Sequence, residues 1–306
     1  MKWTVLSDNR SCDDSLETEH GLSILLETDK HHILLDTGAS DVFIRNAGKM
    51  GIDLSTVDYV FISHGHNDHA GGLKHLMKIN DKAQVIVSPD AMSGKFFSKR
   101  GNLHSITAEW PKIDDNRLIL IDQTCELAED IHVIAHIPQI HPIPKGNQNL
   151  YVQNTNSELT EQREPFELVQ KWPSRDRGTR SQYIHDDFRH ELALYTNGLL
   201  FTGCAHSGLE NILAACPYPI HMVVGGFHLL DDMESEKELT ALAQRLLGYE
   251  NSSPYGEKPE EGLQFYTSHC TGDKVFAILK TVMGDYLHAF SCGYRREETT
   301  RTEITP

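Results

Sequence analysis

Apolar residues along the 306-residue chain fall into short runs of two kinds. Alternating or continuous runs rich in β-branched and aromatic residues predict strands over 3–6, 21–27, 31–36, 57–63, 84–88, 117–122 and 131–137. Later ones follow over 191–196, 199–203, 221–227, 263–269 and 286–293. Helical spacing predicts a helix from Asp41, with Val42, Phe43, Ala47 and Met50 on one face, and further helices over 72–79, 208–216, 235–249 and 273–283. Turn residues Thr28-Asp29-Lys30 and Asn197-Gly198 join two of the strand pairs as hairpins. From Pro138 to about Asp187 the periodicity stops. On both sides of that stretch the order is the same: a hairpin, then alternating helices and strands. The pattern predicts an α/β protein, a four-layer α/β/β/α sandwich with a two-fold pseudo-repeat. It reads as a single domain over 1–306 with an irregular lid or insertion at about 138–190.

Chemistry concentrates where the apolar runs end. In FISHGHNDHAGG (61–72), His64 and His66 stand two apart after a buried strand, so an extended backbone aims both imidazoles to one side. Asp68 and His69 follow where the chain turns into a helix, which swings them to another side of the same pocket. Small residues Gly65, Ala70, Gly71 and Gly72 let the backbone crowd close. Three imidazoles and a carboxylate within six residues suit one or two borderline-soft divalent ions, zinc first, with Mn, Mg or Fe not excluded.

Charge then narrows the partners. With 28 Lys+Arg against 44 Asp+Glu the formal net charge is −16, which argues against nucleic acid or an anionic membrane surface as a partner. No apolar run approaches the roughly 18 residues of a membrane span. The start, MKWTVLSDNRSCDD, has neither a long apolar core nor a cleavage-like tail, and six Cys without a C-x-x-C pair read as free thiols, so a cytoplasmic location is expected. His190-Glu191 opens no H-E-x-x-H motif, and no G-x-S-x-G surrounds Ser207.

H-x-H-x-D-H after an apolar strand resembles the metallo-β-lactamase superfamily, whose fold is the α/β/β/α sandwich. The resemblance extends to LLDTG (34–38), FTGCAHSGLENI (201–212), GGFHL (225–229) and SHCTG (268–272). These later strings resemble a subgroup related to the methanopterin-pathway synthase that joins a dihydropterin to an aminobenzene ribofuranosyl phosphate. The resemblance implies that His64 and His66 ligate a first ion, Asp68 and His69 a second, and His269 completes the second. Most of the superfamily carries a bridging Asp where Cys204 stands, so Cys204 is either a thiolate ligand or a small buried neighbour. His206 is the preferred last ligand of the first ion, with His136 and His141 as fallbacks. His228 is expected to act on the substrate or behind the ligands. Asp36 of LLDTG is expected to orient a ligating imidazole. The redox iron branch of the superfamily typically has Glu where His66 stands, which argues against that branch.

The implied activity is that of a metal-dependent hydrolase, in which metal-activated hydroxide, oriented by Asp68, attacks an ester, lactone or phosphoester. One alternative is a transferase condensing a dihydropterin pyrophosphate with an aromatic amine ribose phosphate. Another is a non-catalytic metal-bound ligand sensor. The expected partner is a small molecule, phosphorylated or pterin-like in some of these readings. Arg163, Lys171, Arg175, Arg177 and Arg180 stand among five acids and read as a solvated mixed-charge loop, and nearby Trp172 is thin support for ring stacking.

Overall fold

The computed structural model describes residues 1–154, 182–230, 233–249 and 262–298. The chain begins with β1 (Lys2–Ser7), β2 (Ser23–Glu27), β3 (His32–Leu35), α1 (Val42–Lys49), β4 (Tyr59–Phe61), α2 (Asn67–Ala70), α3 (Leu73–Leu76), β5 (Gln84–Val87) and α4 (Pro89–Ser93). Six strands follow: β6 (Phe96–Ser98), β7 (His104–Ser105), β8 (Leu118–Leu120), β9 (Cys125–Ala128), β10 (Ile131–Ile134) and β11 (Leu150–Gln153). The rest comprises β12 (Tyr183–His185), β13 (Ala193–Thr196), β14 (Leu199–Phe201), α5 (Leu209–Ala215), β15 (Met222–Val224), α6 (Glu236–Gly248), β16 (Gln264–Thr267), α7 (Asp273–Met283), β17 (Leu287–Ala289) and β18 (Arg295–Glu297).

Two seven-stranded sheets form the centre, in the orders β18-β1-β2-β3-β4-β5-β8 and β17-β16-β15-β14-β13-β10-β9. In the first, β1, β2 and β3 pair antiparallel, then β3, β4, β5 and β8 run parallel. In the second, β9, β10, β13 and β14 pair antiparallel, then β14 to β17 run parallel.

Residue alternation builds the layers. On β2, Ile24 and Leu26 point into a core shared between the sheets, while Leu25 points outward beneath Phe43 and Ala47 of α1. On β14 and β15, Leu199, Phe201, Met222 and Val224 enter the shared core, while Leu200 and Val223 pack outward with residues of α5, α6 and α7. Phe61 and Phe201 meet edge to face between the sheets, with ring centroids 6.1 Å apart. The architecture is therefore helix, sheet, sheet, helix. Helix α6 starts at a full capping box, in which Ser235 and Glu238 satisfy each other's backbone N–H. No helix among the described residues is long and apolar enough to cross a membrane.

The structure adds the short helix α4 and strand β9 to the expected elements and departs from them in three further places. The helix expected over 72–79 is only α3, preceded by the separate turn of α2. The described parts of 138–190 carry β11 and β12, which join β6 and β7 in a third sheet of order β12-β11-β6-β7. Its strands have two to four residues, too few to display a period. Strand β18, with sequence Arg-Arg-Glu, lies at a sheet edge beside β1, where charge discourages further pairing and hides the strand from an apolar pattern. The cations at 163–180 and Trp172 lie outside the described residues.

Candidate metal centre

Parallel strands of both sheets deliver their C-terminal ends to one place. Asp36 follows β3, His64 and His66 follow β4, Cys204 and His206 follow β14, His228 follows β15, and His269 follows β16. His66 keeps an extended backbone (φ −80°, ψ 147°) and caps α2, so Asp68 and His69 turn away on the first helical turn. The connecting turns are strained. Asp36, Ala205, His228 and His269 all have positive φ, between 48° and 57°. Each costs on the order of 1–3 kcal/mol for a residue with a Cβ, strain that clusters at functional sites. Gly203, at φ 54°, has no such freedom of replacement, because an added Cβ would fall 2.3 Å from the Ser63 Oγ.

Two clusters result. In the first, ring nitrogens of His64, His66 and His206 lie within 4.8 Å of one another, and all three Nε2 atoms are buried without a hydrogen-bond partner. Their protons can be placed. His64 Nδ1 lies 2.8 Å from Ser63 Oγ, whose own hydrogen goes to Asp36 Oδ2 at 2.7 Å. His206 Nδ1 lies 3.2 Å from Asn147 Oδ1, an atom that only accepts. The Nδ1–H therefore donates in both, and the Nε2 lone pairs face the shared space.

In the second cluster, His69 Nε2 lies 3.1 Å from His269 Nε2, and Asp68 Oδ2 lies 3.7 and 3.3 Å from these two nitrogens. Here too the outer nitrogens are engaged. His69 Nδ1 is 2.6 Å from Asp36 Oδ2, and His269 Nδ1 is 3.0 Å from Asn9 Oδ1. Two Nε2 lone pairs cannot face each other at 3.1 Å without a proton or a cation between them. His20 also approaches Asp68, at 3.4 Å.

Cys204 lies between the clusters. Its Sγ is 3.0 Å from His69 Nε2 and within 4.8 Å of ring nitrogens of His64, His206, His228 and His269. The buried Cys270 thiol reaches the same neighbourhood. His228 lies with its ring 4.0 Å from that of His206. Arg100 donates to its Nε2 at 3.1 Å, so the proton sits on Nδ1, which is buried without a partner. The two fallback residues, His136 and His141, are exposed.

Electrostatics separate the clusters further. Burial, with His69 beside it, holds His64 well below the usual imidazole range. Burial and the neighbouring His190 bring His66 down to about 3. Burial and His228 likewise depress His206. Burial opposes the charge on Asp68, but His69 and His269 override it and hold the carboxyl well below its ordinary value. Burial also opposes protonation of His69, yet Asp68 and Asp36 raise it to about 9.

Supporting residues that the sequence pattern missed come from distant loops. Asn147 fixes both ends of His206, also donating to its carbonyl oxygen at 2.7 Å. Glu191, pushed up to about 7 by burial, accepts the N–H groups of His206 and Ser207, each at 2.7 Å. His190 receives the Gly65 N–H on Nδ1 and contacts Asp186 through Nε2 at 3.1 Å. Asp8 holds the His269 N–H at 3.0 Å. The usable signal for Glu191 and His190 was two polar side chains at the very start of an apolar strand, where full burial demands a partner.

This donor set fits divalent ions: buried unpartnered Nε2 atoms, a carboxylate and a thiol converge with their outer atoms already hydrogen bonded. Above them opens a pocket of about 330 Å³, walled by both main sheets' turns and by the third sheet.

Comparison with known proteins agrees with this architecture. The metallo-beta-lactamase superfamily signature matches residues 17–144. An uncharacterized protein of Methanocaldococcus jannaschii is 27% identical over 85% of this chain and 87% of its own length. From the same organism, 7,8-dihydropterin-6-methyl-4-(beta-D-ribofuranosyl)-aminobenzene-5'-phosphate synthase is 24% identical over 89% of this chain and 87% of its own. Among solved structures, Tm1679, described as a metal-dependent hydrolase of the beta-lactamase superfamily, superimposes with a TM-score of 0.71 at 27% identity, covering 98% of this chain and 99% of that one. The metallo-beta-lactamase fold protein YhfI from Bacillus subtilis shares the fold, with a TM-score of 0.50 at 12% identity over 97% of this chain and 99% of its own. Two sheets face to face, a histidine-rich turn after β4 and ligand-type side chains at the strand ends of both sheets thus have a common counterpart: residues 17–144 match the metallo-beta-lactamase superfamily, and the fold is similar along nearly the whole chain to that of Tm1679.

Proposed function

We propose that the protein is a metal-dependent hydrolase of a small ester, lactone or phosphoester. The observation that carries this reading is the convergence of His64, His66 and His206, and of Cys204 with His64, His69, His206 and His269, beneath an open pocket. His64, His66 and His206 would hold a first ion, Asp68, His69 and His269 a second, with Cys204 shared between them. Histidine and thiolate donors favour zinc over harder ions. Ions bound there supply Lewis acidity and make water a usable nucleophile at neutral pH.

The chain's own groups do the positioning. Asp68, kept ionised by its histidine neighbours, accepts a hydrogen bond from the attacking water and orients it. His228 carries its proton on Nδ1 beside His206 and Cys204, where it can donate to substrate oxygen. Asp36 holds His69 directly and His64 through Ser63, so one buried carboxylate aligns an imidazole of each cluster. Similarity to the named synthase supports a second reading, in which an amine instead of water displaces a pyrophosphate from a dihydropterin.

The test is turnover by zinc-loaded protein of a panel of nitrophenyl esters, phosphodiesters and lactones, beside a dihydropterin pyrophosphate with and without an aromatic amine. Hydrolysis that stops on chelation and returns with metal is expected. A coupled amine product formed in preference to the hydrolysed pterin would replace hydrolysis with transfer. Tight binding of an unchanged metabolite without any turnover would favour the sensor reading.

A further inference from the structure

The turn after β16 brings a second thiol to the histidine clusters. Cys270 is 2% exposed and directly follows His269, and its Sγ lies within 4.8 Å of Cys204 Sγ and of a His269 ring nitrogen. The surrounding backbone is shaped to this sulfur. The His228 N–H donates to Cys270 Sγ at 3.3 Å, and the thiol in turn makes a long contact of 3.7 Å to the Cys204 carbonyl oxygen. The Leu230 N–H donates to the Cys270 carbonyl oxygen at 3.2 Å, and the Phe227 N–H to Thr271 Oγ1 at 3.1 Å, so the turns after β15 and β16 are fastened to each other on both sides of the thiol. Gly226 makes room for it, because a Cβ there would fall 2.3 Å from Cys270 Sγ. Cys270 also lines the open pocket, with Cys204, His206 and His228.

We infer that Cys270 is a ligand of the second ion, adding a second thiolate to Cys204, His269, His69 and Asp68. Zinc bonds of about 2.0 Å to nitrogen and about 2.3 Å to sulfur place tetrahedral ligand atoms roughly 3.5–4 Å apart, which the 4.8 Å limit on Cys204, His269 and Cys270 accommodates. Coordination replaces each S–H bond by a sulfur–metal bond and releases the proton to solvent. The His228 N–H then points at a charged sulfur, the outer hydrogen bond that steadies a metal-bound thiolate. Two thiolates make this position softer than the all-imidazole cluster beside it. It should take zinc or cadmium and reject magnesium and manganese, which prefer oxygen donors.

This inference rests on the proposed metal centre, and its test reads coordination, not turnover. Reduced, metal-free wild type, Cys270→Ser and the Cys204→Ser/Cys270→Ser double variant are loaded with cobalt(II), and metal content is measured in each. The near-ultraviolet sulfur-to-cobalt charge-transfer band, which grows with the number of cobalt–sulfur bonds, is then compared. At equal cobalt content Cys270→Ser should lose about a third of the wild-type band, one bond of three when Cys204 is shared, and the double variant should lose all of it. An unchanged band in Cys270→Ser would overturn the proposal. Should that variant fail to fold, zinc-edge X-ray absorption of wild type decides. A shared Cys204 supplies at most one sulfur per zinc, so an average of about 1.5 is expected with Cys270 bound, and an average of about one or less would overturn it. Protein that takes up no cobalt would overturn the metal centre as well, whereas bound cobalt with a band indifferent to Cys270 would overturn this inference alone.

Discussion

The two histidine clusters sit side by side, share Cys204 and lean on the same Asp36, yet they are built on opposite electrostatic plans. His64, His66 and His206 form a neutral nest, in which burial and mutual proximity keep every ring unprotonated. Asp68, His69 and His269 form a charged nest, with an ionised carboxylate holding a proton on His69 up to about 9. In metal-free protein the first cluster turns the unprotonated Nε2 atoms of three buried rings toward one another. The second carries an internal proton that stands in for a cation. The difference teaches that two adjacent donor clusters need not be equal sites: the proposed first ion would meet unprotonated nitrogens, whereas the proposed second would have to displace the His69 proton.

Replacing one ligand of each cluster is the most severe way to break this pairing. His66→Ala and Asp68→Asn should each lose more activity than the roughly 10–100-fold typical of outer hydrogen-bond partners, and each should lower zinc content. His66→Ala leaves the other two Nε2 atoms of its nest intact, whereas Asp68→Asn removes the charge that sustains the His69 proton. Elemental analysis alongside turnover checks both. Unchanged zinc content and turnover in either variant would remove that residue from the metal centre.

Outer partners should divide the clusters more gently. Of the cluster histidines, Asn147 hydrogen bonds His206 alone among the described residues, while Asp36 reaches His69 directly and His64 through Ser63. Asn147→Ala should therefore weaken zinc at the neutral cluster by something near tenfold, and Asp36→Asn should weaken both clusters by about 10–100-fold. Competition with a chromophoric chelator resolves the two binding steps. An Asp36→Asn protein with one step weakened and the other untouched would contradict the shared-carboxylate arrangement.

How much of this was legible beforehand follows from sequence distance. His64, His66, Asp68 and His69 lie within six residues, so strand and helix geometry alone brings them near one another. The layers were legible for the same reason, since alternation in β2, β14 and β15 assigns one face to the shared core and one to the helices. Sequence left open whether Cys204 or His206 reaches the centre, and the structure brings both, because the positive φ of Ala205 reverses the chain between them. The partners that fix the imidazoles were illegible. Asn9 meets His269 across 260 positions and Asn147 meets His206 across 59, and an Asn in a polar loop looks like surface. The third sheet was missed because its strands have only two to four residues.

The smallest effect is also the most diagnostic, because each cluster controls one limb of the pH dependence of stability in metal-free protein. His66, at about 3 when folded, stays neutral while the unfolded chain takes up a proton below the ordinary 6.5. The unfolded state then binds more protons, so this limb loses stability as pH falls below 6.5, at up to about 1.4 kcal/mol per pH unit for each such group. His64 and His206 push the same way. His69 has the opposite sign: raised to about 9, it holds a proton that the unfolded chain has lost, so its stabilisation is complete below 6.5 and disappears as pH rises through 9. Urea midpoints of metal-free protein from pH 5 to 9.5 should trace both limbs. His66→Ala should flatten the acid limb and His69→Ala the alkaline one, while saturating zinc should flatten the alkaline limb by displacing the His69 proton. An alkaline limb that survives in His69→Ala would mean that the proton between the two clusters belongs to another group, and the charged half of the centre would have to be reassigned.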